Sequence, residues 1–148
     1  MKRILIEYEK CDGCKNCSTA CMQAHRESPG TIYDLDLADP ANESRNFILK
    51  DAAGHYKPLF CRHCDEPECV KSCMSGALYK DPESGHVFYD ETRCGSCFMC
   101  VMNCPFGVLK PDTLTQSKVI KCDFCVSAGG EPSCVKSCPK KAIRVEEV

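Results

Sequence analysis

The side chains able to do chemistry in this sequence are overwhelmingly thiols. Sixteen cysteines occupy a chain of 148 residues, a share of about 11% where 8–10% already marks a short chain as unusual. They fall into four groups of four: Cys11, Cys14, Cys17 and Cys21; Cys61, Cys64, Cys69 and Cys73; Cys94, Cys97, Cys100 and Cys104; Cys122, Cys125, Cys134 and Cys138. Groups one and three both read C-x2-C-x2-C-x3-C. Group two reads C-x2-C-x4-C-x3-C, and group four C-x2-C-x8-C-x3-C. Pro105 follows group three and Pro139 follows group four.

Three chemistries compete for so many thiols: a disulfide framework, zinc sites and iron–sulfur clusters. Disulfides suit exported chains. The opening MKRILIEYEKCDGC turns charged after three aliphatics and has no apolar signal segment. Without such a segment, C-x2-C pairs favour metal or redox chemistry. Zinc fits group four taken alone, but it takes ligands in twos, and the three evenly spaced cysteines of groups one and three leave odd thiolates over. Four [4Fe–4S] clusters use all sixteen cysteines with none left over. In the C-x2-C-x2-C run, a tight loop turns three thiolates onto one face of a cubic cluster and aims backbone N–H groups at its sulfurs. The fourth cysteine, about one helical turn on, faces away and ligates the other cluster of a pair. Fully ligated clusters leave no iron free for substrate, and the C-x3-C-x2-C arrangement of radical enzymes is absent. This is the ligation of electron transfer, not of a catalytic centre.

The elements that must hold these loops are short. Removing the cysteines from the 43% of hydrophobic residues leaves 48 ordinary apolar side chains, a thin core for a domain of this length. The net charge of −2 argues against nucleic-acid binding through a basic footprint, and no run is long enough for a direct membrane span. Patterning predicts strands at 3–8, 31–33, 47–50, 77–80, 86–90 and 142–146, with a helix over 18–27. The recurring unit is strand, four cysteines, short helix. The implied fold is α+β: two ferredoxin-like lobes, each of short β-hairpins and short helices around two clusters. The 20 residues between groups two and three hold one hairpin, which makes those groups a self-contained pair, lobe B, at 58–112. Groups one and four then pair as lobe A, 1–27 plus 115–148, with 28–57 as a spacer, all within a single polyferredoxin unit. Sequential pairing, one with two and three with four, is the alternative; the 39 residues between Cys21 and Cys61 count against it.

The segments CDGCKNCSTACMQAH, CRHCDEPECVKSC-x3-AL, CGSCFMCVMNCPFG and KCDFC-x8-CVKSCPKKAI resemble the four motifs of four-cluster iron–sulfur subunits. That family includes the electron-transfer subunits of dimethyl sulfoxide reductase, formate dehydrogenase and polysulfide reductase. It also includes the partner of carbon monoxide dehydrogenase and small subunits of hydrogenase and tungsten aldehyde oxidoreductase complexes. The resemblance covers nearly the whole chain and implies nested pairing. Carried over, it gives cluster 1 to Cys11, Cys14, Cys17 and Cys138, and cluster 2 to Cys122, Cys125, Cys134 and Cys21. Cluster 3 falls to Cys61, Cys64, Cys69 and Cys104, and cluster 4 to Cys94, Cys97, Cys100 and Cys73. Met22 and Met74 depart from the family pattern, which often has a non-apolar residue and a proline there. The shorter chain favours a cytoplasmic branch. The function implied is non-catalytic: relaying single electrons between a catalytic oxidoreductase subunit of molybdenum, tungsten, nickel or hydrogenase type and a second redox protein, such as a ferredoxin or flavoprotein. A freely diffusing polyferredoxin and a filament-forming wire subunit are the rival roles.

Other residues carry plainer readings. His63, between Cys61 and Cys64, is expected to hydrogen-bond and not to ligate, since the cysteines already complete the clusters. His25 reads as a solvated histidine on the exposed side of the first helix. Phe98, Phe106 and Phe124 are placed to shield clusters from water. Lys136, Lys140, Lys141 and Arg144 form a basic end, and Asp34, Asp36, Asp39 and Glu43 make the spacer acidic.

Overall fold

The computed structural model describes residues 1–27 and 29–148. Strand β1 (Lys2–Ile6) pairs antiparallel with β8 (Ile143–Glu147), so the two ends of the chain close one sheet with Ile4 opposite Val145. Three local hairpins follow: β2 (Phe47–Lys50) with β3 (Tyr56–Leu59), β4 (Leu78–Lys80) with β5 (Val87–Tyr89), and β6 (Lys110–Pro111) with β7 (Val119–Ile120). Each of these hairpins turns on an aspartate at its first loop position. Asp51 accepts from the Ala53 and His55 N–H groups, Asp81 from Ser84, and Asp112 from Thr115, Ser117 and Lys118. An acceptor in that position organises a loop that has no ladder of its own. At Asp112 burial pulls the carboxyl upward, but the bonds from Thr115, Lys118 and Ser117 hold it down to about 2.

The helices are α1 (Asn16–His25), α2 (Glu68–Lys71), α3 (Met99–Asn103) and α4 (Ser133–Ser137). Each carries the third cysteine of its group, and the fourth lies in or just beyond it. Helix α1 packs on α4, and α2 on α3. Each pair lies over its own small core. One core joins Leu78, Val87, Cys100, Val108, Leu109 and Val119; the other joins Cys17, Phe60, Cys134 and Ile143. Thiols are therefore core residues in both.

Several local expectations change. Residues 31–33 do not form a strand. The 3-10 turn Ile32–Asp34 replaces it, tied by the Asp34 N–H to Thr31 O and by an Arg26–Asp34 ion pair at 2.7 Å. The first helix starts at Asn16, before residue 18, because left-handed Lys15 (φ 62°) turns the chain straight into it. Strands β3, β6 and β7 carry no alternating pattern strong enough to be read from sequence. Within 28–57, Ser28 lies outside the described residues, and the remainder is no mere connector. Asn46 accepts from Ser18 Oγ at 2.7 Å, and Ile48 packs on the core containing Cys17.

Candidate metal centres

Every C-x2-C step that opens a group contains a left-handed residue just before its second cysteine: Gly13 (φ 74°), His63 (45°), Ser96 (57°) and Phe124 (58°). That conformation curls the loop so that sulfurs converge and N–H groups turn inward. Phe124 N–H donates to Cys122 Sγ at 3.4 Å. From outside the loops, Arg45 N–H donates to Cys21 Sγ and Ala142 N–H to Cys138 Sγ, each at 3.3 Å. Only Gly13 has a residue type that marks the position in sequence. Its absent side chain also admits the Tyr56 ring, since a Cβ there would lie 2.4 Å from Cε1. We expect Gly13→Ala to cost about 1–2 kcal/mol from backbone strain alone and more from the displaced ring. Thermal denaturation of the holoprotein, with iron content measured alongside, checks this.

The thiols gather in quartets drawn from different groups. One cavity is lined by Cys11, Cys14, Cys17 and Cys138, under Ile48, Phe60 and Ile143. A second is lined by Cys61, Cys64, Cys69 and Cys104, under Val87, Val108 and Leu109. Burial pushes the Cys134 thiol well above its ordinary pKa, and the neighbouring Cys122, Cys21 and Cys125 add to the shift. Burial, then Cys73, Cys94 and Cys97, push Cys100 up to about 11. Thiols of different quartets also feel one another electrostatically. Cys17 is among the neighbours that raise Cys134, and Cys61 adds to the burial that pushes Cys122 up to about 12.

These raised values test what the sites can hold. Clustered thiols, most of them half-buried or buried, cannot all ionise together unless a cationic centre compensates them. A set of four soft sulfur donors selects zinc or an iron–sulfur cluster over hard, oxygen-seeking ions. The mixed group of His25, Asp123 and Cys125 is accounted for by hydrogen bonds: His25 Nε2 to Asp123 Oδ1 at 3.0 Å, and Cys125 N–H to the same oxygen at 2.9 Å.

The histidines divide. His25 is not a solvated surface residue: its side chain is only 6% exposed and links Cys21 O to Asp123. Polar neighbours on α1 conceal that its last turn packs against the group-four loop. Although burial pulls the other way, Asp123 and Cys21 raise His25 to about 10. His63 is buried, and Nδ1 accepts the Val87 N–H at 3.0 Å. Burial, then Lys121 and His86, push its pKa down to about 2, so the ring is neutral. Phe124 is buried and stacks on His86 with centroids 4.4 Å apart, while Phe106 lies under the Arg62 guanidinium. Half of the basic end is neutralised locally, with Lys136 paired to Glu131 and Arg144 to Glu7 and Glu146.

Paired helices and hairpins around quartets of converging thiols define an α+β iron–sulfur protein. Residues 52–148 match the 4Fe-4S dicluster domain. The sequence is 35% identical over 145 residues to the B subunit of anaerobic dimethyl sulfoxide reductase from Escherichia coli, spanning 93% of this chain and 69% of that subunit. It is 33% identical to the iron-sulfur subunit of the nitrate-inducible formate dehydrogenase of Escherichia coli, spanning 94% of this chain and 52% of that one. Among solved structures it resembles a component of the active-site complex BamBC of benzoyl coenzyme A reductase with benzoyl-CoA. That likeness has a TM-score of 0.53 and 27% identity, over 99% of this chain and 79% of that one. The protein belongs to the 4Fe-4S dicluster family, binds [4Fe–4S] clusters and serves in electron transfer. Among the described residues no helix is long and apolar enough to cross a membrane.

Proposed function

We propose that this chain is a non-catalytic subunit holding four [4Fe–4S] clusters in a row and passing single electrons along them. Cluster 1 would be held by Cys11, Cys14, Cys17 and Cys138, and cluster 2 by Cys21, Cys122, Cys125 and Cys134. Cluster 3 would be held by Cys61, Cys64, Cys69 and Cys104, and cluster 4 by Cys73, Cys94, Cys97 and Cys100. Lobes A (1–27 plus 115–148) and B (58–112) would each contain two of them. The observation that carries this reading is where the cysteines meet solvent. Only Cys14 and Cys97 are exposed, one in the first quartet and one in the last, while Cys17 with Cys134 and Cys122 with Cys61 are electrostatic neighbours across successive quartets. A relay needs a shielded interior and two accessible ends. The clusters supply reversible one-electron chemistry, and the chain sets spacing, potential and docking.

One end would face a catalytic oxidoreductase subunit, of molybdenum, tungsten, nickel or hydrogenase type, and the other a ferredoxin or flavoprotein. The oxidoreductase subunits among its relatives support a bound role over a freely diffusing carrier. So do Met74, Met99 and Met102, which are exposed around the Cys97 end, since apolar surface beside a redox site favours a docked partner. We place the chain in the cytoplasm, whose reducing conditions keep thiols free to take up clusters. The test is elemental analysis of anaerobically purified protein, expected to give about sixteen iron and sixteen acid-labile sulfide per chain. Stoichiometric zinc with little sulfide would overturn the proposal.

A further inference from the structure

Between the two lobes lies a charged side chain that no hairpin or ion pair explains. Lys121 is 5% exposed. Its ammonium donates to Val87 O at 2.6 Å, Cys122 O at 2.8 Å and Cys61 Sγ at 3.5 Å. It lines the cavity of the Cys61 quartet and directly precedes Cys122 of the neighbouring quartet. Among the described residues, no carboxylate forms an ion pair with it within 4.0 Å. The neighbouring His63 has its Nδ1 taken by the Val87 N–H, and Asp123 is engaged by His25 and Arg45. Two carbonyls solvate an ammonium but do not balance its charge, and a buried charge without a counter-charge is strongly unfavourable.

Resting on the four-cluster reading above, we propose that Lys121 is the shared counter-charge of the two central clusters and raises their reduction potentials. Each oxidised cluster with its four thiolates carries about −2, so the ammonium finds its compensation on both sides. Burial alone makes an added electron on an anionic centre less favourable. The two central quartets, with no exposed cysteine, would then stand as a barrier between the accessible ends. Lys121 offsets that effect through its charge and through its N–H bond to Cys61 Sγ, because hydrogen bonds to cluster sulfurs raise the potential. In each hop one electron leaves one cluster and enters the next. No bond forms or breaks.

The experiment compares full-length holoprotein with Lys121→Met, Lys121→Gln and Lys121→Arg by iron and sulfide analysis and by redox titration followed with electron paramagnetic resonance. Glutamine keeps an N–H donor for the carbonyls and loses the charge. In the Met and Gln variants, two of the four reduction steps are expected to fall by at least tenfold in equilibrium constant, about 59 mV for a one-electron couple. The other two steps stay in place, and Arg restores the wild-type pattern. An iron-replete Met or Gln variant that titrates like wild type overturns the proposal, as does an equal shift of all four steps. Should both neutral variants shed iron while Arg retains it, the charge is what holds the central sites and the proposal stands. If Arg sheds iron as well, the role is packing and the proposal falls. Wild-type protein lacking about sixteen iron atoms would instead defeat the four-cluster reading itself.

Discussion

Removing iron with a chelator under reducing conditions is expected to abolish the cooperative thermal transition of this protein. The core around Cys17 contains four buried residues, two of which are the thiols Cys17 and Cys134, leaving Phe60 and Ile143. Fully burying a side chain of that kind contributes ~1.5–3 kcal/mol, whereas ordering each residue of the surrounding loops costs ~1–2 kcal/mol. Metal–thiolate bonding must supply the difference, as in small metal-dependent domains that are unfolded without their ion. The core around Cys100 is larger, with five buried aliphatics beside that thiol. Partial stripping should therefore unfold the region around the Cys17 core first, seen as early loss of the amide signals of β1 and β8. A stripped chain that keeps a sharp transition at a similar temperature would contradict this.

The same thinness explains how much of the fold is legible in the residues alone. Cysteine spacing determines local loop geometry, so the metal chemistry, the α+β class and the β4–β5 hairpin can be read directly from sequence. Short strands beside those loops are legible where β-branched or aromatic residues cluster, as at Val87–Tyr89. Strand β3 is not, because Lys57 and Pro58 interrupt its pattern and its pairing with β2 is what defines it. The left-handed positions at His63, Ser96 and Phe124 are equally hidden. Bulky or polar residues seldom adopt positive φ, and here convergence on a shared centre imposes it. His25 misleads because its helix neighbours suggest exposure, whereas Asp123 reaches it across 98 positions of sequence. Lys121 gives no signal at all. A lysine beside a cysteine looks like any surface lysine until the fold encloses it.

Cys138→Ser is expected to lower the iron content from about sixteen to about twelve per chain by emptying one site. The site lost should be the one containing Cys11, Cys14 and Cys17, although these lie more than a hundred residues away. The physical link is the sheet of β1 with β8 and the packing of α1 on α4, which carry Cys138 into the cavity of the first group. Serine offers a far poorer ligand than thiolate, and Cys138 Sγ also accepts the Ala142 N–H that anchors the turn into β8. Cys104→Ser makes the matched comparison, since Cys104 lies in the cavity of Cys61, Cys64 and Cys69. If groups paired in chain order, Cys138→Ser would instead disturb a site held by group three, and the two variants would damage the same lobe. Electron paramagnetic resonance of both reduced variants separates these outcomes by which signals disappear. The row arrangement adds a kinetic consequence. Emptying the Cys14 end removes one accessible terminus while leaving the Cys97 end intact, so Cys138→Ser should still accept electrons from a small reductant. It should no longer pass them to a partner docked at the damaged end, and stopped-flow reduction with and without that partner measures the difference.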